Sequence, residues 1–248
     1  MTTEAIVARA TGQWFDSADG QRWWFDSGSL ALDFAYTGAM EPRVAGAAQR
    51  TAVSPTPPST TAASTTAAQT TAASTTAGTT APEPTAASSS PWESLLSPAD
   101  LDAWLTDRFP GLGAACSERE LTDAKVLRRA VARLAASASG GVASAPGEID
   151  IVNLFAATPD IAPVLAGGSR KAGRGRSRST QALSSIARDA VRLFGPEEGG
   201  RIHECSADDC TIVYLDTSLG GSRRWCSMQR CGNRAKVRAH RARTSRQG

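Results

Sequence analysis

The sequence predicts a mainly α-helical N-terminal domain with a short β-prone segment near its start. A C-terminal module follows in treble-clef-like order, a β-hairpin plus a helix. Three observations carry this. Four stretches between residues 97 and 196 combine helix-capping residues with apolar side chains three and four apart. Residues 30 to 36 alternate apolar and small or polar side chains. Four of the five cysteines fall within 27 residues near the end, in two equally spaced pairs.

Not all of the 248 residues can contribute to a packed core. Of the 40 residues from Thr51 to Ser90, 36 are Thr, Ala, Ser or Pro, and a five-residue unit (TTAAS from Thr60, TTAAQ from Thr65, TTAAS from Thr70) repeats within them. Such a tract buries too little apolar surface to offset the entropy of ordering its backbone, which predicts disorder. A pentapeptide solenoid is the alternative, but the large residues that would fill its core are missing. The expected organisation is a flexible N-terminus over 1–20, a helical domain over 21–50 and 91–198, the disordered insertion over 51–90, and the cysteine module with its basic tail over 201–248.

The segment from Arg22 to Thr37 is the most aromatic in the chain. Leu30, Leu32, Phe34 and Tyr36 alternate as on a half-buried strand, with a turn at Ser27-Gly28. A short helix starting near Ser29 competes, because eight residues do not fix the period. In either case core packing accounts for the aromatics. Ser97-Pro98-Ala-Asp100 then supplies a cap, an early proline and an early acid for a helix with Leu101, Trp104, Leu105 and Phe109 on one face. Ser117-Glu-Arg-Glu120 is a capping box opening a longer helix, with Leu121, Ala124, Leu127, Val131 and Leu134 inward. A third helix spans 147–157 with Ile149, Val152 and Phe155. A fourth carries Leu183, Ile186, Ala190, Val191 and Phe194 and ends at Gly195-Pro196. The basic run Ser169–Ser179 reads as a solvated loop or a flexible phosphate-binding arm.

The cysteines are Cys205-x4-Cys210 and Cys226-x4-Cys231, separated by fifteen residues. Each pair can come from one tight turn, and four thiolates suit a closed, structural zinc site, so one zinc ion is expected on these four residues. Incidental thiols or a disulfide pair are the alternatives. His203, just outside the first pair, is a possible substitute ligand. Between the pairs, Thr211–Leu215 is β-prone, Leu219–Ser222 is a turn, and Arg223–Cys226 is expected to return as its strand partner. A helix follows Cys231. At about 100° per residue, Cys231, Ala235, Ala239 and Ala242 form a small-residue sector expected to lie on the zinc core. Arg234, Arg238 and Arg241 flank that sector on one side, Lys236 and Arg243 on the other, and His240 points away from the metal.

Charge is divided along the chain. Residues 201–248 carry ten basic and four acidic side chains, while the remainder is net −3. The positive end would attract a polyanion, and the contacts expected are Arg223, Arg224, Asn233, Arg234, Lys236, Arg238, Arg241 and Arg243. Catalysis is not expected. A four-thiolate site leaves no position for water, the two histidines are not at catalytic metal spacing, and Cys116 stands alone. Nothing in the sequence has the length or apolarity to span a membrane, which points to a cytoplasmic protein.

The run from Arg223 to Arg243 resembles the CGNR zinc finger, named for the residues standing here as Cys231-Gly232-Asn233-Arg234. Gly28-Ser-Leu-Ala-Leu-Asp-Phe-Ala-Tyr-Thr37 is similar to the opening of its usual companion, the ABATE domain, and Leu101-Asp-Ala-Trp104 and Leu127-Arg-Arg129 fit that layout. The Thr/Ala tract departs from it. The resemblance implies a bacterial transcription regulator whose finger holds zinc on Cys205, Cys210, Cys226 and Cys231 and binds duplex DNA near the nucleoid. Its N-terminal domain is then expected to sense a small-molecule or protein effector or to form a homodimer. An RNA-binding module and a zinc-stabilised protein-interaction module are the alternatives.

Overall fold

The computed structural model describes residues 11–16, 22–38, 93–113, 115–162 and 176–245. The Thr/Ala tract and residues 169–175 of the basic loop lie outside them. Two antiparallel strands, β1 (Gln13–Asp16) and β2 (Arg22–Phe25), form a hairpin that leads into α1 (Leu30–Ala35). Four helices follow: α2 (Pro98–Arg108), α3 (Glu118–Gly140), α4 (Pro146–Ala156) and α5 (Ser179–Leu193). A second hairpin, β3 (Ile202–Glu204) with β4 (Val213–Leu215), precedes a π-helical turn at Met228–Gly232 and the terminal helix α6 (Asn233–Thr244). The described residues are thus mostly helical, with one hairpin near the N-terminus and one at the cysteines.

The helix starts are where the capping residues place them. Ser97 and Ser117 each accept the backbone N–H three residues on, and Asp100 and Glu120 return the bond to the cap N–H. Gly141 closes α3 in the left-handed conformation. Helix α3 is the central element, packing on α1, α4, α5 and β3 through Leu121, Ala124, Leu127, Val131, Leu134 and their neighbours. Each leucine sealed this way contributes about 1.5–3 kcal/mol. Leu101, Leu105, Leu183, Ile186 and Leu193 complete an aliphatic core, which Ile202, Val213 and Leu215 of the second hairpin also join.

Residues 30–35 form a helix, not the strand that their alternation resembles. Ser29 caps it by accepting from Leu32 N–H, and Asp189 of α5 accepts from both Ser29 Oγ and Ala31 N–H. All six residues are buried, so the helix is enclosed on every side and its apolar pattern has no polar face to reveal the period. Gln13–Asp16, inside the stretch expected to be flexible, is a strand because its aromatics pair across the hairpin with Trp23 and Trp24. Ile149 and Val191, expected inward, are exposed.

The described residues on either side of the gap between Gly38 and Glu93 lie close together. Thr37 O accepts from Ser94 N–H and Oγ, while Glu93 and Arg128 form a two-pronged pair at 2.6 Å. Elsewhere, Leu112 bridges Ser177, and Arg176 donates to Gly113 O.

Candidate metal centre and the basic helix beside it

The second hairpin pairs differently from the sequence expectation. The partner of β4 is β3, immediately before the first cysteine, and not Arg223–Cys226. The first cysteine pair therefore sits at the hairpin tip. Cys205 N–H donates to Ile212 O (2.8 Å) and Cys210 N–H to Ala207 O (3.0 Å), which tightens the turn between them. Ser206 N–H to Arg224 O (2.9 Å) ties this tip to the second pair. Cys226 then leads, through Ser227, into the π-helical turn that delivers Cys231. A Cβ at Gly232 would fall 2.7 Å from Met228 Sδ, so a larger residue there would displace the methionine side chain.

The four Sγ atoms lie within 4.8 Å of one another, with Cys210–Cys226 at 3.7 Å and Cys226–Cys231 at 3.5 Å. A tetrahedron with Zn–S bonds of about 2.3 Å has edges of about 3.8 Å, so the donors are already at metal spacing. A disulfide needs about 2.05 Å, and all five cysteines are free thiols. Thiols this close compete for protons. Hydrogen bonds from Cys210 and Cys226 hold the Cys205 thiol well below its ordinary range, while the bond to Cys205 pushes Cys210 up to about 12 and Cys226 higher still. A divalent cation removes that conflict by accepting all four thiolates. The set fits one structural zinc ion. Backbone and guanidinium N–H groups complete the sulfur environment, from Cys226 N to Cys205 Sγ (3.4 Å) and from Arg234 Nη2 to Cys231 Sγ (3.2 Å).

Neither histidine joins the cluster. His203 is exposed on β3 beside the Tyr214 ring, and His240 is exposed on α6. Cys116 lies apart at the start of α3, half-buried, and burial pushes its thiol up to about 11.

The module does not stand alone. Cys205, Cys226 and Cys231 share a second core with Trp23, Phe25, Ala207 and Tyr214, against which Phe15 and Tyr36 also pack. The Tyr36 hydroxyl donates to Val213 O (2.9 Å) and accepts from Val213 N–H (2.7 Å), and Leu215 N–H donates to Ser27 O (2.8 Å). These bonds occupy the edge of β4 that faces away from β3. Burial raises the Tyr36 phenol well above its ordinary range, so it stays a donor. Beneath it, Asp33 accepts from Gly12 N–H and Ser27 Oγ, each at 2.6 Å, and burial pushes its carboxyl up to about 6 against those bonds.

The cationic residues divide into two groups. Arg223 is engaged internally. Its guanidinium donates to the carbonyls of Asp26, Trp225 and Cys226 and lies 4.2 Å from the Tyr214 ring centre. Arg234 bonds Cys231 Sγ and pairs with Asp209 at 2.8 Å, so it anchors the first turn of α6 to the first knuckle. Asn233 donates to Gln229 O within the same helical rod. Arg224, Lys236, Arg238, Arg241 and Arg243 are exposed, with Arg238 3.8 Å from Asp209. Ala235 is half-buried, but Ala239 and Ala242 are exposed and α6 has no buried residue. The small-residue sector expected on the zinc core is therefore uncovered for most of its length.

Sequence reasoning missed Tyr36, Asp209 and Arg230, whose guanidinium lies 5.0 Å from the Trp23 ring centre. Asp209 carried a usable signal, being an acid next to Cys210 in a basic module. For Tyr36 there was none, because its partner lies 177 residues away.

Residues 201–244 match the family model described as CGNR zinc finger. Residues 28–197 match the ABATE model, described as "Putative stress-induced transcription regulator". No curated protein matches the chain. The ABATE match spans more than half of the sequence and the finger match encloses all four clustered cysteines, so the chain belongs to the ABATE family and carries a C-terminal CGNR zinc finger.

Proposed function

We propose that the chain is a cytoplasmic, DNA-binding transcription regulator in which α6 contacts duplex DNA. The observation that carries this reading is the uncovered state of α6. Between Asn233 and Thr244 the helix has no acid, no buried residue and four exposed cations. At about 100° per residue, Arg238 and Arg241 lie on one flank and Lys236 and Arg243 on the other, with Ala235, Ala239 and Ala242 between. A helix about 18 Å long with a flat small-residue strip can approach base edges closely. The cations on its two flanks then reach phosphates on both walls of a major groove. The family description supports regulation as the purpose of such binding.

In this reading the zinc fixes the base of α6 and has no catalytic task, since four thiolates leave no open position. Arg223 and Arg234 build that base, and Arg224, Asn233, Lys236, Arg238, Arg241 and Arg243 are left for the nucleic acid. The helical domain senses an effector or forms a homodimer. Among the described residues no helix is long and apolar enough to cross a membrane.

Fluorescence anisotropy with duplex DNA across a potassium chloride series tests the reading. Four phosphate contacts predict a log–log slope of about −3.6. Lys236→Ala and Arg238→Ala should each reduce that slope by about one. Binding that is absent at low salt, or insensitive to salt, overturns the proposal. A selection from random duplexes identifies any preferred sequence.

A further inference from the structure

The first hairpin brings tryptophans next to the second cysteine pair, although some 200 residues separate them in sequence. A groove of about 640 Å³ opens there, lined by Trp24 and Asp26 from the hairpin and by Ser218, Arg224, Trp225 and Met228 from the finger. Its volume is within the roughly 300–1,000 Å³ of small-ligand sites. Three of these side chains are apolar, and Trp24 and Met228 are 41% and 51% exposed.

Trp24 is braced for contact. Gly12, at φ +103°, lies so close to the indole that a Cβ there would fall 2.5 Å from the ring. Trp14 meets the ring edge-on with centroids 5.4 Å apart. The indole is thus packed against Gly12 and the Trp14 edge while part of its surface stays open to solvent. Across the groove, the Arg224 guanidinium lies 5.3 Å from the centre of the Trp225 ring. Arg224 and Arg223, whose guanidinium also donates to Asp26 O, together with the Asp26 carboxylate give the groove polar groups of both signs.

We propose that this groove takes an unstacked nucleobase of the DNA that α6 binds. Two observations select that occupant. The groove pairs aromatic surface with a carboxylate that can accept from base amino and imino groups and a guanidinium that can face phosphate. Met228, on its wall, also begins a helical rod that runs without a break through α6, about 26 Å in all, to the exposed cations Lys236, Arg238, Arg241 and Arg243. A strand tracking those charges leads to the groove.

The inference rests on the proposed DNA contact of α6, and the test separates the two. The full-length, zinc-loaded protein is titrated with three fluorescent probes: a perfect duplex, the same duplex with one unpaired base, and the single strand. The unpaired base should raise affinity over the perfect duplex by roughly five- to hundredfold, the range for one aromatic stack. Trp24→Leu keeps an apolar side chain against Gly12 and Trp14 but removes the ring. It should abolish that preference and leave perfect-duplex binding unchanged. Lys236→Ala with Arg238→Ala should weaken both duplexes equally. Equal affinity for the two duplexes overturns the groove assignment while leaving α6 intact. So does a preference that survives both Trp24→Leu and Trp225→Leu. Binding confined to unpaired or single-stranded probes and lost in Trp24→Leu supports the groove and overturns the duplex reading. No binding to any probe overturns both.

Discussion

The two clusters of buried side chains lie against opposite faces of one small hairpin, yet they are made of different chemistry. On one side Ile202, Val213 and Leu215 join the leucines and alanines of α1, α2, α3 and α5. On the other, Tyr214 joins Trp23, Phe25 and three cysteines. The alternation of a strand makes this sharing possible, since neighbouring residues face opposite ways. The aliphatic cluster spans five helices and can be held by burial alone. The aromatic cluster has seven buried residues, three of them cysteines, and beside it four Sγ atoms lie within 4.8 Å of one another. One core stands on its own apolar area, and the other is complete only with its metal.

Metal removal is the strongest way to break that contrast. Structural zinc sites contribute about 10–16 kcal/mol of apparent binding energy, nearly all of it folding energy for the site that holds the ion. Chelation, or Cys226→Ser, should therefore abolish the near-ultraviolet circular dichroism of the immobilised Trp23 and Tyr214. Most of the far-ultraviolet helical signal should remain. Equal loss of both signals means that the cores are one cooperative unit. Retention of both, with zinc absent by metal analysis, removes the structural role of the ion.

A subtler contrast lies in how α1 joins the two clusters, and Asp33 offers a handle on it. Its carboxyl has a folded pKa of about 6 against an ordinary 3.8, raised mainly by burial. The folded state therefore binds the proton more tightly than the unfolded state. The stabilising effect is fully present below about pH 4 and is lost as pH rises through about 6, a loss of about 3 kcal/mol by neutral pH. Zinc thiolates respond in the opposite direction, so the useful quantity is wild type minus Asp33→Asn, measured by denaturant unfolding in excess zinc. That difference should fall by about 3 kcal/mol between pH 4 and pH 7. A flat difference means that the Asp33 carboxyl is not buried in the way its bonds to Gly12 and Ser27 indicate.

The aliphatic side of this comparison was legible in the sequence, and the aromatic side mostly was not. Ser97 and Ser117 announce their helices because a cap is a local bond, three residues long. The four cysteines announce a metal because their spacing is itself the geometry. Residues 30–36 mislead because a helix buried all round has no polar face, and its alternating large and small side chains then imitate a strand. The partner of β4 was missed because strands of three residues carry almost no pairing signal. Arg223, which looked like strand or DNA contact, has its guanidinium bound to three carbonyls that only the folded chain brings together. The exposed Ala239 and Ala242 show the same limit from the other side. Helical angle says which residues share a face, and only tertiary structure says whether anything covers it.

Tyr36→Phe probes the junction with the smallest change, one oxygen atom. The ring keeps its edge-on contacts with Phe25 and Phe15, at centroid distances of 5.2 and 5.8 Å, so apolar packing is preserved. What is lost is the hydroxyl that serves both the N–H and the C=O of Val213 on the outer edge of β4. Leaving those buried groups without a partner should cost about 1–3 kcal/mol in the zinc-loaded protein. In a Cys226→Ser background β4 is expected to be released from α1, and solvent would then satisfy Val213 instead. The same substitution should cost close to nothing there. The coupling between the two changes, read from a double-mutant cycle, measures how far the metal centre holds the finger against the helical domain. An equal cost in both backgrounds would mean that β4 stays docked without zinc. The aliphatic contacts of Ile202, Val213 and Leu215 would then suffice to hold the hairpin, and the metal would order only the knuckles and the base of α6.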